Sequence, residues 1–199
     1  MLYQRPKEKD FRAWLKGGIL EVALLLMALC FIVVVEVMVF VNGPVVYLKT
    51  KKCQGTWGIK AEQPLIGKIG VIRGWKGYDY LLKAAPIILE KYPDARFIFV
   101  GRGPGYEQTQ SIANSLGLEK AVTLLGHRED IPEIMAGLDI QVLASFSGEG
   151  TPQVIPQAFA MKTPVVATRV GSVPEMLGQG ERGVLVELKN SIDLANGII

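Results

Sequence analysis

From Pro64 onward the chain alternates short apolar runs with amphipathic ones, and no other feature restricts its fold as strongly. Leu65–Ile72, Arg96–Val100, Val122–Leu125, Ile140–Ala144, Pro164–Thr168 and Gly183–Glu187 read as strands. Helical patterns lie between them. In Tyr78–Tyr92, residues Leu81, Leu82, Ala85, Ile88, Leu89 and Tyr92 share one face, and Pro86 should bend the helix because its ring crowds the Leu82 carbonyl. Gly105–Leu116 is a second helix, ended by Gly117. Three more starts carry capping chemistry: Asp130 with Glu133, Thr151 before Pro152, and Ser172 with Glu175. Near-continuous apolar strands between amphipathic helices predict an α/β fold with a doubly wound parallel sheet covered on both faces. Ligands of such sheets bind at the carboxyl ends of the strands.

A different element precedes this pattern. Residues 19–41 contain sixteen Leu, Ile, Val and Phe side chains. As a helix the segment is roughly 34 Å long, against a hydrocarbon core of about 30 Å. Those side chains favour insertion by roughly 5–10 kcal/mol, and Glu21 and Glu36 oppose it by at most about 3 kcal/mol each. The expectation is a transmembrane helix, with a buried core element as the rival because Val33–Val41 is rich in β-branched residues. Asn42-Gly43-Pro44 ends the element. The chain then divides into a basic tail (1–18), the apolar helix (19–41), a linker (42–63) and the α/β domain (64–199). Basic residues flank the helix on both sides and do not set its orientation.

The net charge of +3, without a basic stripe or interleaved aromatics, excludes a nucleic-acid partner. Cys30 and Cys53 have no metal-ligand spacing, and neither a disulfide framework nor a metal site is expected.

Three glycine-bearing turns are candidates for chemistry. Gly101-Arg102-Gly103-Pro104-Gly105 has Tyr106 where a dinucleotide fingerprint needs a small residue, so it reads as a tight strand-to-helix turn. Arg73 and Lys76, three residues apart on a turn after the first strand, suit a diphosphate, although solvated surface charges satisfy the same spacing. In Ser147–Gln153, Glu149 ends a strand, Gly150 permits close backbone approach, and Thr151 opens a helix whose free N–H groups favour phosphate or sugar hydroxyls. Gln157 follows Glu149 by eight residues, about two helical turns, and faces a similar way. Capping alone also explains that stretch.

Taken together, IGVIRGWKGYDYLLKAAP, FIFVGRGPG, LLGHREDIPEIMAGLDIQVLAS, EGTPQVIPQAFAMKTPVVATRVGSVPEML and GVLVE resemble the C-terminal, donor-binding domain of family 4 retaining glycosyltransferases. The resemblance covers roughly residues 55–199 and implies the Rossmann-like half of a GT-B fold. It implies transfer of a sugar, with retention and without a metal or cofactor, from a nucleotide-diphosphate sugar to a cell-envelope glycan or glycolipid. On this resemblance Arg73 and Lys76, with Gly150 and Thr151, bind the diphosphate, and Glu149 is the acid at the donor sugar. His127 and Arg128 lie near the base. The family's second acid, which grips the ribose, falls on Gln157, a departure that loses the charge-assisted bond. Nothing in residues 1–54 resembles the family's acceptor-binding domain. The expectation is therefore either a glycosyltransferase, active as such or with a separately encoded N-terminal half, or a non-catalytic, membrane-tethered nucleotide-sugar-binding module or decayed gene fragment. Nucleotide sugars are cytosolic, so the domain is expected on the cytoplasmic side of the membrane.

Overall fold

A computed structural model describes residues 57–199. They form one six-stranded sheet, every pair parallel, in the order β3-β2-β1-β4-β5-β6. The strands are β1 (Leu65–Ile69), β2 (Arg96–Val100), β3 (Val122–Gly126), β4 (Ile140–Leu143), β5 (Val165–Thr168) and β6 (Val184–Val186). The helices are α1 (Tyr78–Lys91), α2 (Tyr106–Ser115), α3 (Ile131–Gly137), α4 (Val154–Ala160), α5 (Val173–Met176) and α6 (Ser191–Ile198). The doubly wound parallel sheet expected from the sequence is present.

The side-chain alternation of each strand divides the core between two faces. Ile66, Phe97, Phe99, Val142, Val166 and Val186 meet Leu81, Leu82 and Ile88 of α1, Ala113 of α2 and Leu194 and Ile198 of α6. Leu65, Ile98 and Val100 meet Ile134 of α3, and Leu138 just past its end, on the other face. Leu143, Val165 and Ala167 meet Ile155 and Ala158 of α4 there too. Gly67 lets α3 close on the sheet, since a Cβ would lie 2.3 Å from a Leu138 methyl. Each large apolar side chain so buried contributes about 1.5–3 kcal/mol. α1 runs through Pro86 without interruption.

The element order follows the sequence pattern, but several ends differ. β1 stops at Ile69, because Gly70 has φ +148° and turns its N–H to Val100 O at 2.8 Å. Asp130 and Ser172 precede α3 and α5 without capping them, since the carboxylate is held by Arg128 and the hydroxyl donates to Gly150 O. α4 begins at Val154 rather than at Thr151, and Gln153 precedes it with no side-chain cap. Asn190 does cap α6, accepting from Ile192 N and Asp193 N at 3.1 and 3.0 Å.

The expectation of a transmembrane helix, of membrane association and of a domain on the cytoplasmic side of a membrane is corrected. Among the described residues no helix is long and apolar enough to cross a membrane. The longest described helix, α1, has 14 residues and carries Asp79, Lys83, Glu90 and Lys91, whereas a span needs about 20 predominantly apolar ones. Residues 19–41, on which that expectation fell, lie outside the described residues.

Candidate donor site at the strand-order switch

β1 is followed in sequence by its left-hand neighbour β2 and flanked on its other side by β4, so the winding reverses between β1 and β4. Loops leaving the two strands there diverge over opposite faces and open a crevice at their carboxyl ends. Backbone contacts hold these loops together. Gly77, between a 3₁₀ turn (Gly74–Lys76) and α1, has φ +69°, and a Cβ there would sit 2.0 Å from Ala144 O at the end of β4. Phe146 N donates to Trp75 O at 3.0 Å. Only glycine satisfies both the dihedral angle and the approach.

This arrangement brings Lys76 to Glu149, 73 residues away in sequence, with Nζ 2.6 Å from Oε1. The Glu149 side chain is 5% exposed and that of Lys76 20%. Buried Ser145 donates to the same carboxylate oxygen at 2.5 Å. Ser145 is itself held through its carbonyl, which accepts from the Thr168 hydroxyl. Lys76 Nζ also lies 4.4 Å from the centroid of the Trp75 ring, and Gly148 lets the β4 loop lie against the ring's edge. Gly171, φ +52°, closes the arrangement from the β5 side, where a Cβ would meet Glu149 O. The carboxylate is thus fixed by one cation and one hydroxyl, with loops after β1, β4 and β5 all contributing.

A cleft of about 230 Å³ opens beside this pair, lined by Lys68, Lys76, Tyr78, Pro152, Gln153 and Gln157 among others. A second, of about 380 Å³, shares Tyr78 and is lined by Arg73, Lys83, Gln108 and Phe146. Lys76, Glu149 and Gln157 are therefore brought to one place, and Arg73 is not. It is extended (φ −138°), exposed, and turned to the second cleft, because it precedes the 3₁₀ turn that Lys76 ends. Gly150 and Thr151 are exposed at the rim. His127 and Arg128 follow edge strand β3 and line neither cleft. Arg128 grips Asp130 through Nε and Nη2 at 2.8 and 2.7 Å, which holds that carboxyl below the usual range.

The Gly101–Gly105 turn has a packing explanation. A Cβ on Gly101 or Gly103 would lie 2.0 Å from Gly70 O or 2.4 Å from Ile72 O, so these glycines admit the loop after β1. Reading from the sequence missed Ser145, Thr168 and Lys68. Lys68 had a signal, a charged residue in the otherwise apolar LIGKI. It is 2% exposed, and burial, followed by the charge of Lys76, lowers its pKa to about 7. Thr168 had none, because its partner is fixed only by the adjacency of β4 and β5, and Ser145 had only its place four residues before Glu149.

A family model, Glycosyl transferases group 1, matches residues 63–199. An uncharacterized glycosyltransferase of Haemophilus influenzae is 31% identical over 140 residues, covering 70% of this chain and 39% of that protein. A D-inositol 3-phosphate glycosyltransferase of Corynebacterium urealyticum is 33% identical over 147 residues, covering 69% and 34%. The chain thus spans between a third and two fifths of these relatives. The structure of Anabaena HepE, solved in complex with UDP-glucose, superposes with a TM-score of 0.68 at 30% identity, covering 74% of this chain and 41% of that one. The C-terminal domain of LpcC from Francisella tularensis superposes with a TM-score of 0.66 at 31% identity, covering 74% and 79%.

Proposed function

The chain belongs to the glycosyl transferases group 1 family, and from that premise we propose that residues 63–199 bind the nucleotide-diphosphate sugar of a retaining, metal-independent hexosyltransferase. The observation that carries this reading is the Lys76–Glu149 pair, set 2.6 Å apart where the winding of the sheet reverses. Lys76 takes the diphosphate and neutralises the charge that grows on it as the bond to the anomeric carbon breaks. Glu149, freed of that cation, accepts hydroxyls of the donor sugar, and the Ser145 hydroxyl keeps the carboxylate oriented. Gln157 accepts from the ribose. Gly150 and Thr151, at the exposed rim, offer backbone N–H groups to the phosphates, and Arg73 reaches them from the neighbouring cleft. His127 and Arg128 flank the base. UDP-glucose bound to HepE makes a uridine donor the first to try.

The acceptor we propose is a cell-envelope glycan or glycolipid, presented across the crevice by a further domain or a separately encoded N-terminal half. Titration calorimetry with UDP-glucose tests the site directly. Lys76→Ala is expected to weaken binding at least tenfold, and unchanged binding in both Lys76→Ala and Arg73→Ala would refute the assignment.

A further inference from the structure

Lys68 is a lysine with an unusual position. It is the fourth residue of β1, on the same face as Ile66, and is among the largest fully buried side chains. Its Nζ lies 4.7 Å from the centroid of the Tyr78 ring, whose hydroxyl is already committed to Gly70 O at 2.8 Å. The charged groups around it are Lys76 on the 3₁₀ turn, Glu149 on the loop after β4 and Asp79 on α1. Among the described residues no ion pair includes Lys68. Glu149 is taken by Lys76 and Ser145, and Asp79 pairs with Lys83 at 3.8 Å. A buried ammonium without a carboxylate opposes folding. Yet this lysine lines the same cleft as Lys76 and Gln157. Two cations bordering one cleft repel each other until an anion arrives, and the anion that satisfies both at once is a diphosphate.

We propose that Lys68 is a second diphosphate-binding lysine of the donor site, reaching the phosphates from the floor of the cleft while Lys76 reaches them from its rim. This rests on the donor reading above. Burial and Lys76 lower the Lys68 pKa to about 7 in the empty protein, so near neutrality about half the molecules carry a neutral amine there. An arriving diphosphate restores the charge, and binding draws a proton from solvent.

The test is titration calorimetry of the 199-residue chain with UDP-glucose, GDP-mannose and ADP-glucose. These diphosphates carry no proton that titrates near neutrality. Repeating each titration in buffers of different ionisation enthalpy counts the protons. The expected result is uptake of about half a proton per donor at pH 7, absent in Lys68→Met, together with at least tenfold weaker binding by that variant. Methionine fits the apolar site, and the proton count on the unaltered protein stands whether or not the variant folds. Donor binding without uptake, or equal binding by Lys68→Met, overturns the role of Lys68 and leaves the donor site intact if Lys76→Ala loses binding. No binding of any of the three donors by the unaltered chain overturns the donor reading, and this inference with it.

Discussion

Replacing Lys68 with methionine is expected to stabilise the protein, and more at pH 6 than at pH 9. The lysine side chain is buried and its pKa falls from 10.5 to about 7 on folding, through burial first and the Lys76 charge second, with Glu149 and Asp79 opposing. At pH 6 both the folded and the unfolded chain hold the proton, and the folded one bears the whole penalty. At about 1.4 kcal/mol for each tenfold, that penalty is on the order of 4–5 kcal/mol. Above pH 7 the folded state has released the proton while the unfolded state keeps it, so stability rises with pH until the unfolded amine also titrates near 10.5. The remaining penalty is about 2 kcal/mol at pH 9. Methionine is similar in length, unbranched and uncharged, and it adapts to irregular apolar space. Urea unfolding followed by circular dichroism, at both pH values and on both proteins, gives the difference directly. A gain that is equal at pH 6 and pH 9, or a loss at both, refutes the reasoning.

Three other outcomes are expected. Lys76→Ala leaves Glu149, 5% exposed at its side chain, without its cation, and should lower unfolding free energy by about 1–3 kcal/mol; adding Glu149→Gln should recover part of that loss in a double-mutant cycle. Gly171→Ala forces a Cβ into Glu149 O at φ +52°, and should cost about 2–3 kcal/mol of stability in thermal unfolding and weaken UDP-glucose binding by displacing the Glu149 backbone. Asp130 has its pKa lowered by its bond to Arg128, so whatever stability it adds is present above the ordinary carboxylate value and fades as pH falls through the folded one. Carbon-detected NMR should then find the Asp130 midpoint raised to the ordinary value in Arg128→Met, and an unmoved midpoint removes the attribution.

The order of strands and helices was legible because a sheet covered on both faces demands continuous apolar strands, and Phe97–Val100 or Val165–Ala167 satisfy nothing else. Strand and helix ends were less so. Asp130 and Ser172 have the right chemistry for caps, but Arg128 and Gly150 O claim them, and which partner prevails depends on tertiary geometry. Lys76 and Glu149 were identified singly from their turns, whereas their contact follows only from β1 and β4 lying side by side. Arg73 and Lys76, read as one diphosphate-binding pair from their spacing, line neighbouring clefts, a division that three residues of sequence do not reveal. Lys68 was readable as an anomaly in LIGKI, but its meaning depended on the cleft above it.

The loops after β1 and β2 are joined by Gly70 N to Val100 O, Ile72 N to Arg102 O and Gly105 N to Ile72 O, at 2.8, 3.1 and 3.0 Å, with Gly101 and Gly103 allowing the approach. For an engineer reshaping the cleft, this joint is a chassis. Lengthening either loop, or giving either glycine a side chain, would carry Arg73 and the 3₁₀ turn with it and spoil every pocket variant built on top. The exposed Ser147, Thr151 and Gln153 take no part in this joint, and libraries confined to those positions vary the surface beside the cleft while the joint stays put.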